Sequence, residues 1–426
     1  MSVNNERHLV MGGCDMAQVA QKYGTPLYVM DENVIRANCR VYKNAIDTCY
    51  SGNGLILYAS KALCNLETVR IVASEGLGID VVSGGELYTA LRAGMDVSKI
   101  CMHGNNKTRA ELEMAISSGV GRIVVDNLFE LDQIDAIAAE HGVRQKVLFR
   151  IKPGIDAHTH NFVMTGQIDS RFGFALETGE ARAAILRAFK CNSICVAGVH
   201  CHIGSQIFEA DPFEEAARVL MRFIAEIRDE SGVELTELNL GGGFGVVYTP
   251  EDDPIEFGDY IEAVSRIVKT AAVEHSLKMP FIMMEPGRSI VAEAGITLYT
   301  VGAIKDIPEV RRYVTVDGGI GDNPRYILYG SKYAALIANK ADAEVTQSVT
   351  IAGKCCESGD LIGENMPLAD VSIGDILALL TTGAYNYSMS SNYNRNLRPA
   401  MVMVKDGRDR LVMKRETYED IIRNDV

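Results

Sequence analysis

The sequence predicts an α/β protein: a parallel (β/α)8 barrel with a second, β-rich domain. Three observations carry that expectation. From about residue 53 one theme recurs, a short β-branched apolar run, a polar or glycine-containing turn, then a helix-period segment. Eight such runs precede residue 289. After about Ala294 the pattern changes to strand-like runs without obvious helices between them.

In order, the barrel runs are Leu55–Ala59, Ile79–Val82, Lys99–His103, Arg122–Asp126, Lys146–Ile151, Val196–His202, Glu237–Leu240 and Phe281–Met284. Eight strands alternating with helices suit a closed barrel of the TIM type. An open, doubly wound sheet satisfies the same count, because counting strands does not establish closure. The later runs are Thr297–Ile304, Arg312–Val316, Ala343–Ile351, Asp375–Thr381 and Met401–Lys405, read as an antiparallel domain. Pro26–Met30 is strand-like and precedes a first helix from Asp31 to about Cys49, so it is expected to join that domain. The barrel is thus placed at residues 36–289, inserted into a discontinuous domain of residues 1–35 and 290–426.

A chain of 426 residues with 47% hydrophobic and 23% charged residues has the balance of a soluble globular protein. A net charge of −14, with no clustered basic face, excludes a nucleic-acid partner. The polar segment Met1–Val10 lacks the basic and apolar regions of a secretory signal, and no membrane partner is expected; the location expected is cytoplasmic. The ten cysteines are scattered and include the adjacent pair Cys355-Cys356, unlike a secreted disulfide framework. Most are expected to be reduced and buried. No metal site is expected: Cys191 and Cys195 have only His200 and His202 nearby, on chain that reads as helix leading into strand.

In a parallel barrel, functional groups gather at the carboxyl ends of the strands. Lys61 directly follows the first run; buried there it would need a partner or a chemical use, and desolvation would fit its amine for imine formation. A solvated lysine opening a helix is the plainer reading. Gly241-Gly-Gly-Phe-Gly245 follows the seventh run and offers backbone N–H groups for a phosphate, though such a run is equally a tight turn. Glu285-Pro-Gly-Arg288 follows the eighth, with a carboxylate able to keep a pyridine nitrogen protonated and a guanidinium suited to phosphate or carboxylate; an exposed ion pair at a turn is the alternative. His202 also lies at a strand end, where a core histidine is just as ordinary. Cys356-Glu357-Ser358-Gly359-Asp360 places a thiol beside hydrogen-bonding groups, yet most cysteines only pack.

In combination these motifs are informative. Tyr58-Ala-Ser-Lys61, His202-Ile-Gly-Ser-Gln206, Gly241–Gly245, Glu285-Pro-Gly-Arg288 and Cys356–Asp360 stand in the order found in the fold-type III pyridoxal-phosphate-dependent decarboxylases, which the chain resembles from about Tyr23 to Asn394. The resemblance implies pyridoxal 5'-phosphate carried by Lys61, with His202 stacked on its ring. It implies that Ser205, Gly243, Gly287 and Arg288 hold the phosphate end, that Glu285 meets the ring nitrogen and that Tyr385 reaches the cofactor. For the substrate it implies Arg288, Arg325 and Tyr329 on the carboxylate side, Tyr385 as a further substrate contact, and Glu357 and Ser358 beside a distal amino group, with Cys356 as proton donor. It further implies a homodimer, each active site being completed by Cys356-Glu357-Ser358 of the other subunit.

Polyamine-type relatives commonly have Asp where this chain has Glu357. That favours meso-2,6-diaminopimelate, an amino acid at both ends, decarboxylated to L-lysine and CO2 in the last step of bacterial-type lysine biosynthesis. Two departures concern fine substrate tuning: Arg171 where many relatives have Lys, and Tyr326-Ile327 where many have Pro-Ala. A sibling decarboxylase acting on ornithine, arginine, lysine or carboxynorspermidine, a non-catalytic homologue and a barrel racemase are the competing readings. Lys61 and Cys356 count against the second, and the want of a clear second acid–base group counts against the third.

Overall fold

Every apolar run read before residue 289 is a strand. A computed structural model of the protein describes residues 1–155 and 170–426. These divide into two units, Arg36–Val246 with Asp253–Ser289, and Met1–Ile35 with Val247–Asp252 and Ile290–Val426. The stretch Val247–Asp252, placed in the barrel from sequence, groups with the β-rich unit.

The barrel strands are Gly54–Ala59, Gly78–Val81, Ile100–Met102, Arg122–Val125, Gln145–Lys152, Ile194–His200, Glu237–Asn239 and Phe281–Met284. Each pairs in parallel with the next, and the eighth returns to the first in the register Ile282↔Gly54, which closes the sheet and removes the open-sheet alternative. The helices between strands have local start signals. Asn65, Ser83 and Asn127 cap theirs with side-chain oxygens, and Thr108 with Glu111 forms a reciprocal capping box. Gly94 and Gly119 end two of them in the left-handed conformation.

Strand periodicity builds the barrel interior in layers. Leu57, Cys101, Val124, Leu148, Ala197 and Met283 form one apolar cluster. Two residues further along their strands, on the same face, stand His103, Asp126, Arg150 and Glu285. An apolar plug therefore lies beneath a polar layer at the carboxyl ends. At the opposite ends of the strands Glu237 is held by Arg122 at 2.6 Å and Lys146 at 2.8 Å.

In the β-rich unit the strand order is Leu361–Ala369, Val345–Ala352, Arg311–Val316, Gly295–Ile307, Leu27–Asp31, Ala400–Lys405 and Arg408–Met413, with Ile376–Leu379 and Ala335–Ile337 branching from Gly295–Ile307. The N-terminal strand Leu27–Asp31 is thus inserted between C-terminal ones. The sheet is mixed and not purely antiparallel: Leu27–Asp31 runs parallel to Ala400–Lys405, and Arg311–Val316 parallel to Val345–Ala352. Strand direction follows from the route of the connections, which strand-forming residues do not encode. Of the cysteines, only Cys14, Cys39, Cys101 and Cys201 are buried, so the expectation that most are buried is corrected. Among the described residues no helix is long and apolar enough to cross a membrane.

Candidate active site

Because the barrel is closed and parallel, residues that end its first, sixth, seventh and eighth strands share one face. Lys61 lies in a 3-10 turn, Ser60–Ala62, immediately after the first strand. Its side chain is exposed, in keeping with the plainer reading of a solvated lysine. Neighbouring strand ends are bonded directly: the Ala59 N–H donates to the Pro286 carbonyl at 3.0 Å and the Glu285 N–H to the Gly241 carbonyl at 2.7 Å.

The glycine run is held open by close approach of backbones. A Cβ on Gly241 would stand 2.4 Å from the Cys201 carbonyl oxygen, on Gly242 2.0 Å from that of Glu285, and on Gly243, whose φ is +121°, 2.4 Å from that of Gly204. Phe244 anchors the run from behind. Its ring lies 5.0 Å from Phe213, 5.0 Å from Tyr260 and 5.4 Å from Tyr42, a burial worth about 2 kcal/mol. The Gln206 amide, donating to the Val246 carbonyl at 2.7 Å, ties the His202–Gln206 loop to the same run. There the Arg288 guanidinium donates to the Ser205 hydroxyl at 3.0 Å. Backbone without side chains, a hydroxyl and a guanidinium together form a donor set for a phosphate.

Glu285 is buried in the polar layer. His103 Nε2 is 2.9 Å from its Oε1, Asn239 donates to the same oxygen at 2.7 Å, and His200 Nε2 is 3.3 Å from Oε2. Burial opposes the charge of Glu285, but the His103 and His200 imidazoles hold its carboxyl well below the usual carboxylate range. His103 is correspondingly pushed well up, the Asp80 and Glu285 carboxylates outweighing burial. Asp80, 3.5 Å from His103, is pushed up to about 7, chiefly by burial. His200 falls to about 4, again chiefly by burial, and is neutral. His202 is driven well down by burial and by the cationic Lys61 and Arg150, so its half-buried ring is also neutral. A neutral imidazole face suits stacking on an aromatic ring, and an ionised buried carboxylate suits a protonated ring nitrogen. With an accessible amine at Lys61 and the phosphate donors, the residues fit pyridoxal 5'-phosphate.

Asp80, His103, Arg150, His200 and Asn239 were not singled out from the sequence. Their signal was present as polar residues interrupting buried apolar runs, but only closure shows that they converge.

In the β-rich unit, Arg325 is buried and opens the short helix Arg325–Tyr329. Its guanidinium lies 5.1 Å from the Tyr329 ring and 5.0 Å from the Tyr385 ring, so these three candidates meet. Tyr385 has a φ of +69°, a sparsely populated conformation that positions its ring. Cys356, Glu357 and Ser358 occupy an exposed loop. Of the two departures, Arg171 and Arg150 lie on the Phe172 ring at 4.9 and 4.2 Å, while Tyr326 donates its hydroxyl to Glu364 at 2.7 Å and Ile327 is exposed.

Residues 32–292 match the family model described as the pyridoxal binding domain of pyridoxal-dependent decarboxylases. The chain is 51% identical over 414 residues to a diaminopimelate decarboxylase of Bacillus methanolicus, covering 97% of this chain and 96% of that one. The diaminopimelate decarboxylase of M. jannaschii, solved in complex with L-lysine, superposes with a TM-score of 0.92 at 36% identity, covering 100% of this chain and 97% of that one. That of Helicobacter pylori, also complexed with L-lysine, gives 0.88 at 32%, covering 96% and 98%. The barrel face and this full-length likeness agree: the chain belongs to the diaminopimelate decarboxylases, within the pyridoxal-dependent decarboxylase family.

Proposed function

We infer that the protein is a carboxy-lyase that converts meso-2,6-diaminopimelate to L-lysine and CO2 with pyridoxal 5'-phosphate. The observation that carries the cofactor is the barrel face, where the ionised Glu285, the Arg288–Ser205 pair and Lys61 stand at the ends of neighbouring strands; the reaction type rests on the match to pyridoxal-dependent decarboxylases. Substrate choice rests on relatives named for diaminopimelate. Bound there, the cofactor supplies an electron sink for the pair left on carbon when CO2 departs.

The protein's own residues carry the remaining tasks. Lys61 holds the cofactor through its amine, His202 packs on its ring, and Glu285 keeps the ring nitrogen protonated. Ser205, Gly243, Gly287 and Arg288 take the phosphate, and Tyr385 closes on the cofactor. For the substrate, Arg288, Arg325 and Tyr329 receive the carboxylate, Tyr385 adds a further contact, and Glu357 and Ser358 receive the distal ammonium. That pairing leaves a site able to reject substrates lacking either charge. Cys356 delivers the proton that replaces CO2. Part of the same proposal is a homodimer in which Cys356-Glu357-Ser358 of each copy serve the other.

The test is to incubate the protein and pyridoxal phosphate separately with meso-diaminopimelate, ornithine, arginine and lysine, measuring CO2 and amino products. L-Lysine and CO2 from the first mixture alone is the expected result; release from another mixture instead would reassign the substrate. Lys61→Ala is expected to lose the visible absorbance of the lysine-linked cofactor, and an unchanged spectrum would remove Lys61 from its role.

A further inference from the structure

The segment Cys355–Ser358 belongs to no helix or strand. A free loop samples many conformations, so a thiol on it is poorly placed for a directed proton transfer. Here one short turn, Tyr393–Asn396, meets three consecutive residues of the segment. The Asn394 carboxamide oxygen accepts from the Cys356 N–H at 2.7 Å. Asn396 Nδ2 lies 3.5 Å from the Cys355 sulfur, and the Tyr393 hydroxyl 3.4 Å from Glu357 Oε2.

The turn adopts a costly backbone to do this. Asn394 and Arg395 have φ of +51° and +54°, a left-handed conformation that disfavours side chains other than those of Gly and, less strongly, Asn or Asp. Strain of this kind persists where surrounding contacts over-determine it, and it concentrates at functional sites. From the other side the buried Asp360 accepts from the Cys355 N–H at 2.6 Å and from the Ile320 N–H at 2.7 Å. A Cβ on Gly353 or Gly319 would come within 2.3 or 2.5 Å of the Asp360 carboxylate, so that anchor fits tightly.

We propose that Asn394 is a positioning residue for Cys356 and Glu357: through its bond to the Cys356 amide, the Tyr393–Asn396 turn fixes the thiol and the neighbouring carboxylate in one place. The inference rests on the role proposed above for Cys356. It assigns to Asn394 no contact with substrate or cofactor.

The experiment compares Asn394→Gly and Asn394→Asp with the wild type, each as holoenzyme. Glycine accommodates the positive φ and removes the carboxamide with its acceptor oxygen; aspartate restores an acceptor of the same reach. Asn394→Gly is expected to lower kcat roughly tenfold or more with KM little changed, the scale of a misplaced reacting group. Asn394→Asp is expected to recover most of the loss. Site-resolved alkylation by iodoacetamide, read by mass spectrometry, should change at Cys356 and not at Cys64. Wild-type kcat and wild-type Cys356 alkylation in Asn394→Gly would overturn the proposal, as would failure of Asn394→Asp to recover. If the glycine variant does not fold, amide hydrogen exchange at Cys356 in the wild type and in Asn394→Asp decides: protection in both is expected, and an unprotected Cys356 amide in the wild type would overturn the proposal. Should the wild type release no CO2 from meso-diaminopimelate, the functional reading falls, while the alkylation comparison still decides whether Asn394 fixes the thiol.

Discussion

Buried polar residues set the chemistry of the barrel face, and their protonation is coupled to folding. His200 is neutral because burial carries its pKa down to about 4. In an unfolded chain it would titrate near the ordinary histidine value of about 6.5. Between those values the unfolded chain binds a proton that the folded one does not, so His200 makes stability fall as pH drops through that window. Its contribution has a slope of up to about 1.4 kcal/mol per pH unit. His200→Gln should flatten the dependence of thermal stability between pH 6.5 and 4.5; melting curves with the same slope as the wild type would show that His200 does not titrate as described. Legibility at this scale was uneven. Lys61, His202, Glu285 and Arg288 stood out because each sits in a motif, whereas His103 and Asp80 matter through a partner distant in sequence.

Among the elements, one buried lysine ties the loop after the third strand to the fourth strand and to the helix that follows it. Lys107 donates to Glu130 at 2.8 Å and to the carbonyls of Gly104 and Val124, both at 2.7 Å. Glu130 in turn accepts from the Asp126 N–H at 3.1 Å, and Asp126 accepts from the Gly173 N–H at 3.0 Å. A buried charge is tolerated only when paired, and removing one partner leaves the other uncompensated. Lys107→Met is therefore expected to lower stability by about 3–5 kcal/mol in chemical denaturation. A loss below about 1 kcal/mol, the scale of a surface pair, would mean the network is solvated. The sequence placed the third and fourth strands correctly. Lys107 itself was not singled out, because nothing local to Asn106-Lys107-Thr108 announces Glu130.

For the whole molecule, the proposed homodimer makes a simple demand. The particle in solution should have about twice the 46.5 kDa chain mass in sedimentation equilibrium, and activity should fall with the dimer on dilution. A fully active monomer would remove the assignment of Cys356-Glu357-Ser358 to a partner's site.

By itself the sequence determined the eight barrel strands, the inclusion of the N-terminal strand in the C-terminal sheet, and the motif residues. Each of these is written locally, in residue periodicity, turn chemistry or a short ordered motif. The tertiary structure alone decided that the barrel closes, that the second sheet is mixed, that Lys61 is exposed, and that His103, Asp80, His200 and Asn239 surround Glu285. These depend on which strands become neighbours. That is settled by long-range pairing and by the need to neutralise charges buried together, neither of which can be read from one segment at a time.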